Sequence, residues 1–231
     1  RDPFLEFPKL FNVQPARSVS RLLGPEFWCR CMPNSSSSSY AAEFGDLAVM
    51  NISRARKHKR RFGAVITLED PNCRHAAQLR FHRQPAPAHL VVQCEDVDDD
   101  TLGIQVATRA QVVAAIEFAR LHCSASLLVH CFHGVGRSAA VGVAILADRL
   151  GAGHEQVALS RLLEIRPEAT PNLVIIKLAD DILGLRGRLI TALATWEADT
   201  PRVREKRAVR RAFIQANPHL YAWLQPALPS V

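Results

Sequence analysis

The sequence predicts an α/β domain with a central, mainly parallel sheet of four to five strands flanked by helices. Two observations predict it. Short apolar runs of strand length recur along the chain, and segments with helical periodicity lie between them. Strands that alternate with helices indicate a mainly parallel sheet that is covered on both faces.

The predicted strands are short segments rich in apolar residues. The second of them ends in Glu69-Asp70-Pro71-Asn72, a sequence typical of a turn. A further candidate, Leu79–His82, accounts for the upper limit of five strands. The other four strands are Leu47–Met50, Ala64–Leu68, Leu90–Cys94 and Leu127–His130.

Five predicted helices lie between and after these strands, and residues at their ends mark several of them. A capping box at Thr108–Gln111 begins one helix, Gly151 ends another, and Asn172 caps the last. Pro167 stops the helix that precedes Asn172. The helices are Ser53–Arg61, the one after Thr108, Ala139–Leu150, His154–Ile165 and the one after Asn172.

The composition divides the chain into three parts. The alternation of strands and helices fills residues 45–193, which we predict to be one domain. Residues 1–44 contain scattered prolines and the run Ser35–Ser39, and we expect a poorly ordered extension there. Residues 194–231 are basic and polar, and we expect them to form a C-terminal tail.

Charge and cysteine content narrow the function classes. The formal net charge of +7 favours anionic partners such as phosphate esters, nucleic acid or acidic lipid, without choosing among them. No uncharged apolar run reaches the roughly 18 residues of a membrane span, and the N-terminus has no signal-peptide pattern. Six scattered cysteines do not form a disulfide framework, so we expect free thiols and a cytoplasmic protein.

The segment from Leu127 to Ala140 carries the most chemical information. A buried strand leads to Cys131, and a loop with two glycines follows and ends in Arg137-Ser138 at a helix start. Backbone N–H groups in such a loop form an anion-binding nest, to which the helix N-terminus adds positive potential. An arginine there binds two phosphate oxygens at once, and the thiolate form of the cysteine is favoured. The Gly-Lys-Ser/Thr of a nucleotide-binding P-loop is absent.

These residues resemble a known signature. His130-Cys131, five residues and Arg137-Ser138 match the His-Cys-X5-Arg-Ser/Thr sequence of the cysteine-dependent protein tyrosine and dual-specificity phosphatases. Arg166-Pro167 and Pro171-Asn172 resemble the Arg…Pro-Asn segment of compact dual-specificity members. The resemblance covers about residues 45–193 and implies a phosphatase loop between a strand and a helix of an α/β domain.

The resemblance also implies a role for each loop residue. Cys131 would be the nucleophile that forms a phosphocysteine, and Ser138 would hydrogen-bond the departing thiolate. His130 would support the loop. No metal or cofactor is required, and the implied substrates are phosphotyrosine esters in proteins, with phosphoserine and phosphothreonine as further candidates. The phosphate-binding residues would be Phe132, His133, Gly134, Val135, Gly136 and Arg137.

A phosphatase of this kind needs a general acid, which we expect on the acidic segment Glu95–Asp100 after the strand that ends at Cys94. Asp96 comes first off the strand, where compact members place theirs, and is the leading candidate. Asp98, Asp99 and Asp100 remain open, although at least two of these acids must belong to a solvated, self-repelling loop. An EF-hand calcium loop fits poorly, because Thr101 stands where glycine is needed.

Other interpretations remain open. Cys131 as an inert buried thiol, or His130, Cys131 and His133 as half of a zinc site, would remove the catalytic role. A catalytically weak phosphate-binding module, or a phosphatase acting on RNA 5'-phosphates or phosphoinositides, would keep the loop and change the function. Basic clusters at Arg54–Arg61 and Arg202–Arg211 are compatible with nucleic acid, acidic membrane, phosphorylated partners or solvated helix faces.

Overall fold

A computed structural model describes residues 46–224 of the chain. The extension predicted for residues 1–44 lies outside these described residues. Four strands form one sheet in which every neighbouring pair is parallel, which confirms the predicted α/β class. The strands are β1 (Leu47–Asn51), β2 (Ala64–Glu69), β3 (Ala88–Gln93) and β4 (Leu127–Cys131), in the order β1-β4-β2-β3.

Strand β4 lies in the interior of the sheet, between β1 and β2. All of its five residues are buried, as are all six of β2. Strands buried on both faces require cover on both sides, and their sequences are continuous apolar runs for that reason. The carboxyl end of β4, where Cys131 lies beside Asn51, therefore opens at the edge where ligands bind in parallel sheets.

Seven helices are described within residues 46–224. Two of the predicted helix starts are confirmed: Thr108 makes a complete capping box, and the Asn172 side chain accepts a hydrogen bond from the Ile175 amide. None of the described helices has the length and apolar character needed to cross a membrane. The helices are α1 (Ile52–His58), α2 (Arg109–Leu121), α3 (Arg137–Leu150), α4 (Glu155–Ile165), α5 (Leu173–Ile182), α6 (Arg188–Ala198) and α7 (Pro201–Ala216).

The alternation of side chains along the strands assigns helices to opposite faces of the sheet. Val65 and Leu128 are level with each other and pack with Ile52 and Ala55 of α1. Helix α3 contacts the opposite face. A Cβ atom added at Gly142 of α3 would lie 2.9 Å from a methyl carbon of Val49, so the lack of a side chain there permits close packing of helix and sheet.

The fifth predicted strand, Leu79–His82, is wrong. Leu79 is 1% exposed and Phe81 packs beside it, so the apolar signal is real, but the backbone joins no sheet. Basic side chains of the first cluster bind its carbonyl oxygens instead of a neighbouring strand. Arg56 and Lys59 donate to carbonyls in residues 76–80, and Arg60 donates to those of residues 83 and 85. Part of this basic cluster is therefore structural.

The C-terminal segment also differs from the predicted tail. The predicted boundary at Leu193 falls inside helix α6, and helix α7 follows it with Val203 and Ile214 buried. Ile214 packs with Val97 and Ile104 at the acidic loop. Charge pairing explains why this segment is basic and yet folded, because its arginines bind the acidic residues that follow β3.

Arg207 of α7 is central to this pairing. It is 13% exposed and contacts Asp98 at 2.8 Å, the carboxylate of Glu197, and the Pro171 carbonyl oxygen at 2.8 Å. We predict that Arg207→Met lowers the free energy of unfolding by about 3 kcal/mol, because two carboxylates lose their buried partner. Urea titration followed by circular dichroism measures this loss.

The control is Arg211→Met, since Arg211 is 67% exposed and lies 3.6 Å from Asp99. It should change the unfolding free energy by no more than about 0.5 kcal/mol. Equal effects of the two substitutions would show that α7 is only loosely attached to the domain.

Candidate active site

Cys131 ends β4 and lies at the base of the loop that joins this strand to α3. It is 1% exposed. The Gly134 amide donates a hydrogen bond to its sulfur over 3.3 Å, and the Ser138 hydroxyl lies 3.2 Å from the same atom. A thiolate at Cys131 would accept hydrogen bonds from both groups, and these bonds would stabilise its negative charge.

The carbonyl oxygens of the loop are all bound on its outer side. Because a trans peptide group directs its C=O and its N–H in opposite directions, outward carbonyls turn the amides of residues 133–137 inward. The Gly134 amide bound to Cys131 is one directly observed case. The Ile52 amide donates to the carbonyl oxygen of Phe132 (3.2 Å), and the amides of Thr170 and Asn172 donate to those of Val135 (2.7 Å) and Gly136 (3.3 Å). Arg166 donates through Nη2 to the carbonyl oxygen of His133 (3.3 Å) and through Nε to that of Gly134 (3.0 Å).

The two loop glycines are required for different reasons. Gly134 has φ +73°, and a Cβ atom there would lie 2.5 Å from the Asn51 amide nitrogen. Any other residue would be strained and would also clash with the end of β1. At Gly136, a Cβ atom would lie 2.4 Å from a carboxylate oxygen of Asp96. Gly136 therefore allows this acid to approach the loop.

Arg137 begins α3 with its side chain directed into the site and 3% exposed. It donates to the Cys94 carbonyl oxygen and forms an ion pair with Asp70 at 2.8 Å. Burial alone would lower the pKa of the guanidinium, but Asp96, Cys131 and Asp70 outweigh this effect and raise the pKa above its ordinary value. Its Nε is buried and has no hydrogen-bond partner among the described residues, so a donor remains for a ligand.

Among the candidate general acids, Asp96 lies beside the loop. Its carboxylate accepts hydrogen bonds from Asn172 and Arg210, each over 3.1 Å, and approaches Gly136. Asp98 instead accepts from the Leu173 amide at the start of α5 over 3.0 Å.

The other two candidates lie in the short turn beyond Asp98. Asp99 accepts hydrogen bonds from the Thr101 amide and hydroxyl, over 3.0 and 2.6 Å, and these bonds lower the pKa of its carboxyl group. Asp100 is exposed in the same turn. Asp98 and Asp99 therefore shape the chain around the site.

Sequence reasoning treated Asp70 only as a turn residue and missed its place in the site. The ion pair with Arg137 brings this half-exposed carboxylate to the arginine of the loop. A signal for it existed. Asp70 follows the carboxyl end of β2 as Asp96 follows β3 and as the loop follows β4, and these strand ends share one edge of the sheet.

His130, which directly precedes Cys131, belongs to a chain of hydrogen-bonded side chains on β2, β3 and β4. Its Nε2 lies 2.8 Å from the Thr67 hydroxyl, which lies 2.7 Å from Nε2 of His89. Burial, strengthened by the proximity of His89, lowers the pKa of His130 to about 4. Burial and the nearby cations Arg80 and Lys59 lower the pKa of His89 to about 4 as well. Both rings are neutral at pH 7 and act as hydrogen-bonding supports.

The zinc interpretation gains no support from the described part of the chain. No group of three or more histidine, cysteine, aspartate or glutamate side chains within residues 46–224 is arranged to hold a metal ion. The ring of His133 instead packs edge-on against Phe132, with 4.9 Å between ring centroids.

Comparison with known proteins gave matches only among solved structures. No protein-family model matches the chain, and no curated protein matches it. Human DUSP28 is 21% identical, with 67% of this chain and 95% of that chain covered and a TM-score of 0.42. DUSP15 is 19% identical, with 66% of this chain and 90% of that chain covered and a TM-score of 0.44.

A third match is the human tyrosine phosphatase-like serine/threonine/tyrosine-interacting protein. It is 17% identical, with 62% of this chain and 91% of that chain covered and a TM-score of 0.46.

The lowered pKa values of His89 and His130 predict how stability depends on pH. Unfolded histidine has a pKa of about 6.5, whereas His89 and His130 have values of about 4 in the folded protein. As the pH falls from 6.5 towards 4, these two histidines bind protons in the unfolded chain but not in the folded protein, so the free energy of unfolding decreases. We predict that His89→Gln makes this decrease shallower. The slope of the unfolding free energy against pH should fall by the amount that corresponds to about one bound proton. Urea unfolding between pH 5 and 7.5 measures the slope.

The control is His75→Gln, because His75 is exposed and its side chain takes no part in the hydrogen bonds that join His89, Thr67 and His130. It should leave the slope as in the unaltered protein. An unchanged slope in His89→Gln would mean that the folded protein does not hold His89 as a neutral ring.

Proposed function

We propose that this protein is a cysteine-dependent phosphatase that hydrolyses phosphotyrosine esters in proteins, with phosphoserine and phosphothreonine as secondary substrates. One observation carries the proposal. The Cys131 sulfur lies at the base of a loop whose carbonyls are all bound on the outside, beside a buried arginine with a spare donor. That arrangement suits a phosphoryl group held over a nucleophilic sulfur.

In the first step the Cys131 thiolate attacks phosphorus in line, and the bond from phosphorus to the ester oxygen breaks. The inward amides of the loop and Arg137 stabilise the charge on the equatorial oxygens. Asp96 donates a proton to the leaving oxygen. A phosphate that enters also meets the Arg137–Asp70 ion pair, and the arginine then shares its donors between the two anions.

In the second step a water molecule attacks the phosphocysteine, and the bond from phosphorus to sulfur breaks. Asp96, now ionised, accepts a proton from this water. The Ser138 hydroxyl, 3.2 Å from the sulfur, donates a hydrogen bond to the departing thiolate. Inorganic phosphate leaves, and the enzyme is back in its starting protonation state, because Asp96 has regained its proton from the attacking water and Cys131 is again a thiolate.

A catalytically weak phosphate-binding module is the second candidate function. Two contacts favour it: the guanidinium of Arg137 is engaged by Asp70, and the carboxylate of Asp96 is engaged by Arg210. Steady release of phosphate over many turnovers would identify an enzyme rather than a binding module. The assay is run with phosphotyrosine, RNA 5'-phosphate and phosphoinositide, so that the three substrate classes are compared.

A cytoplasmic location belongs to the proposal, supported by the free thiols of Cys94 and Cys131.

We predict that Cys131→Ser lowers turnover of p-nitrophenyl phosphate by about 10³-fold or more while phosphotyrosyl peptide still binds. A serine hydroxyl there has no adjacent base, because its neighbours are the Gly134 amide and the Ser138 hydroxyl, and neither is a general base. Phosphate release and calorimetric titration measure the two properties. Cys123→Ser is the control, as this thiol lies just beyond α2, and it should retain turnover. Near-normal turnover in Cys131→Ser would refute the mechanism.

Asp96→Asn should lower turnover of phosphotyrosine by about 10²-fold or more, because an amide cannot supply a proton. The loss should be smaller for p-nitrophenyl phosphate, whose leaving group needs little protonation, and the basic limb of the pH–rate profile should disappear. Asp99→Asn is the control and should behave as the unaltered protein. If Asp70→Asn shows this dependence on the leaving group and Asp96→Asn does not, the acid is Asp70.

A further inference from the structure

Helix α7 presents two parallel rows of side chains at helical spacing. One row faces the domain: Val203 and Ile214 are buried, and Arg207 and Arg210 bind the acidic loop. The second row lies one residue earlier at each position and lines a cleft beside the Cys131 loop. We call it the cleft row, and it consists of Arg202, Lys206, Val209 and Phe213.

The cleft has a volume of about 820 Å³ and reaches from Arg137 and Asp96 to helix α7. Phe132 and His133 of the loop line it together with the cleft row, and so does Glu205 of α7. Because the cleft continues beyond the loop, a bound phosphate ester would leave the rest of its molecule in contact with α7.

The chemistry of the cleft row changes along the helix. Arg202 and Lys206, at its N-terminal end, form no ion pair within residues 46–224. Val209 and Phe213, at its other end, are 70% and 51% exposed, and Phe132 of the loop is 50% exposed. Large exposed apolar side chains gathered at one cleft indicate a binding site, and the two cations without an ion pair favour an anionic partner.

We propose that this cleft binds the residues that flank phosphotyrosine in a protein substrate: an acidic residue at Arg202 and Lys206, and an apolar residue between Phe213 and Phe132. The inference rests on the proposed function and adds a sequence preference to it. A peptide chain suits the site better than a bilayer, because the apolar side chains line a groove together with cations. Arg210 is already paired with Asp96, so we assign the acidic flanking residue of the substrate to Arg202 and Lys206.

The test compares kcat/KM for matched phosphotyrosyl peptides whose flanking residues are acidic or basic on one side and apolar or polar on the other. Each value is divided by kcat/KM for p-nitrophenyl phosphate, which does not extend into the cleft. The unaltered protein should prefer the peptide with acidic and apolar flanks by about tenfold or more over the basic and polar one.

Two variants assign the preference to the cleft row. The double substitution Arg202→Glu and Lys206→Glu should lower the ratio for acidic peptides by about tenfold and raise it for basic peptides. Phe213→Ser should remove the preference for an apolar flank. The matched controls are Arg204→Glu, an exposed α7 position outside both rows, and Leu121→Ser on α2, and both should keep the preferences of the unaltered protein.

The outcomes separate this inference from the function on which it rests. If p-nitrophenyl phosphate is not hydrolysed, the proposed function fails. If it is hydrolysed but the flanking residues have no effect, the phosphatase remains and the cleft proposal is overturned. Preferential hydrolysis of phosphoinositide in vesicles, lost in the double variant, would also overturn it, because the occupant would then be a lipid headgroup.

Discussion

The Cys131–Arg137 loop depends on the hydrogen bonds that hold its carbonyl oxygens on the outer side. A carbonyl turned inward would direct negative charge at the sulfur and at any bound phosphate. Arg166, which is 9% exposed, binds two consecutive carbonyls, those of His133 and Gly134. Its planar fork suits this double contact, so an arginine far from the loop in sequence maintains the inward direction of the amides.

A second constraint comes from the acidic segment that follows β3. Five carboxylates fall within the six residues Glu95–Asp100, and they would repel one another if they were unpaired. Helix α7 brings Arg207, Arg210 and Arg211 to Asp98, Asp96 and Asp99. The pairing that stabilises the C-terminal part of the domain thus also fixes the carboxylate that we propose as the general acid.

The elements near the motif could be predicted from the sequence because their signals are local. Four short apolar strands, the capping box at Thr108 and the cap at Asn172 are properties of short segments, and the Cys-X5-Arg spacing lies on one strand–loop–helix unit. The predictions that proved wrong concern segments whose structure depends on partners that are distant in sequence. Leu79 has a strand's apolar character, but arginine and lysine side chains bind its neighbours' carbonyls. Helix α7 resembles a solvated tail until its acidic partners, about 110 residues away, are known.

The ion pairs between α7 and the acidic loop also have an evolutionary consequence. Asp98 and Arg207 are separated by 109 residues in sequence but contact each other at 2.8 Å with little exposure. A change of charge at one position leaves a buried charge without its partner at the other, and selection then favours a compensating change. In related sequences the two positions should therefore vary together, and so should Asp96 and Arg210. Such covariation would extend across the domain and link the loop after β3 to helix α7, well beyond the Cys-X5-Arg segment itself.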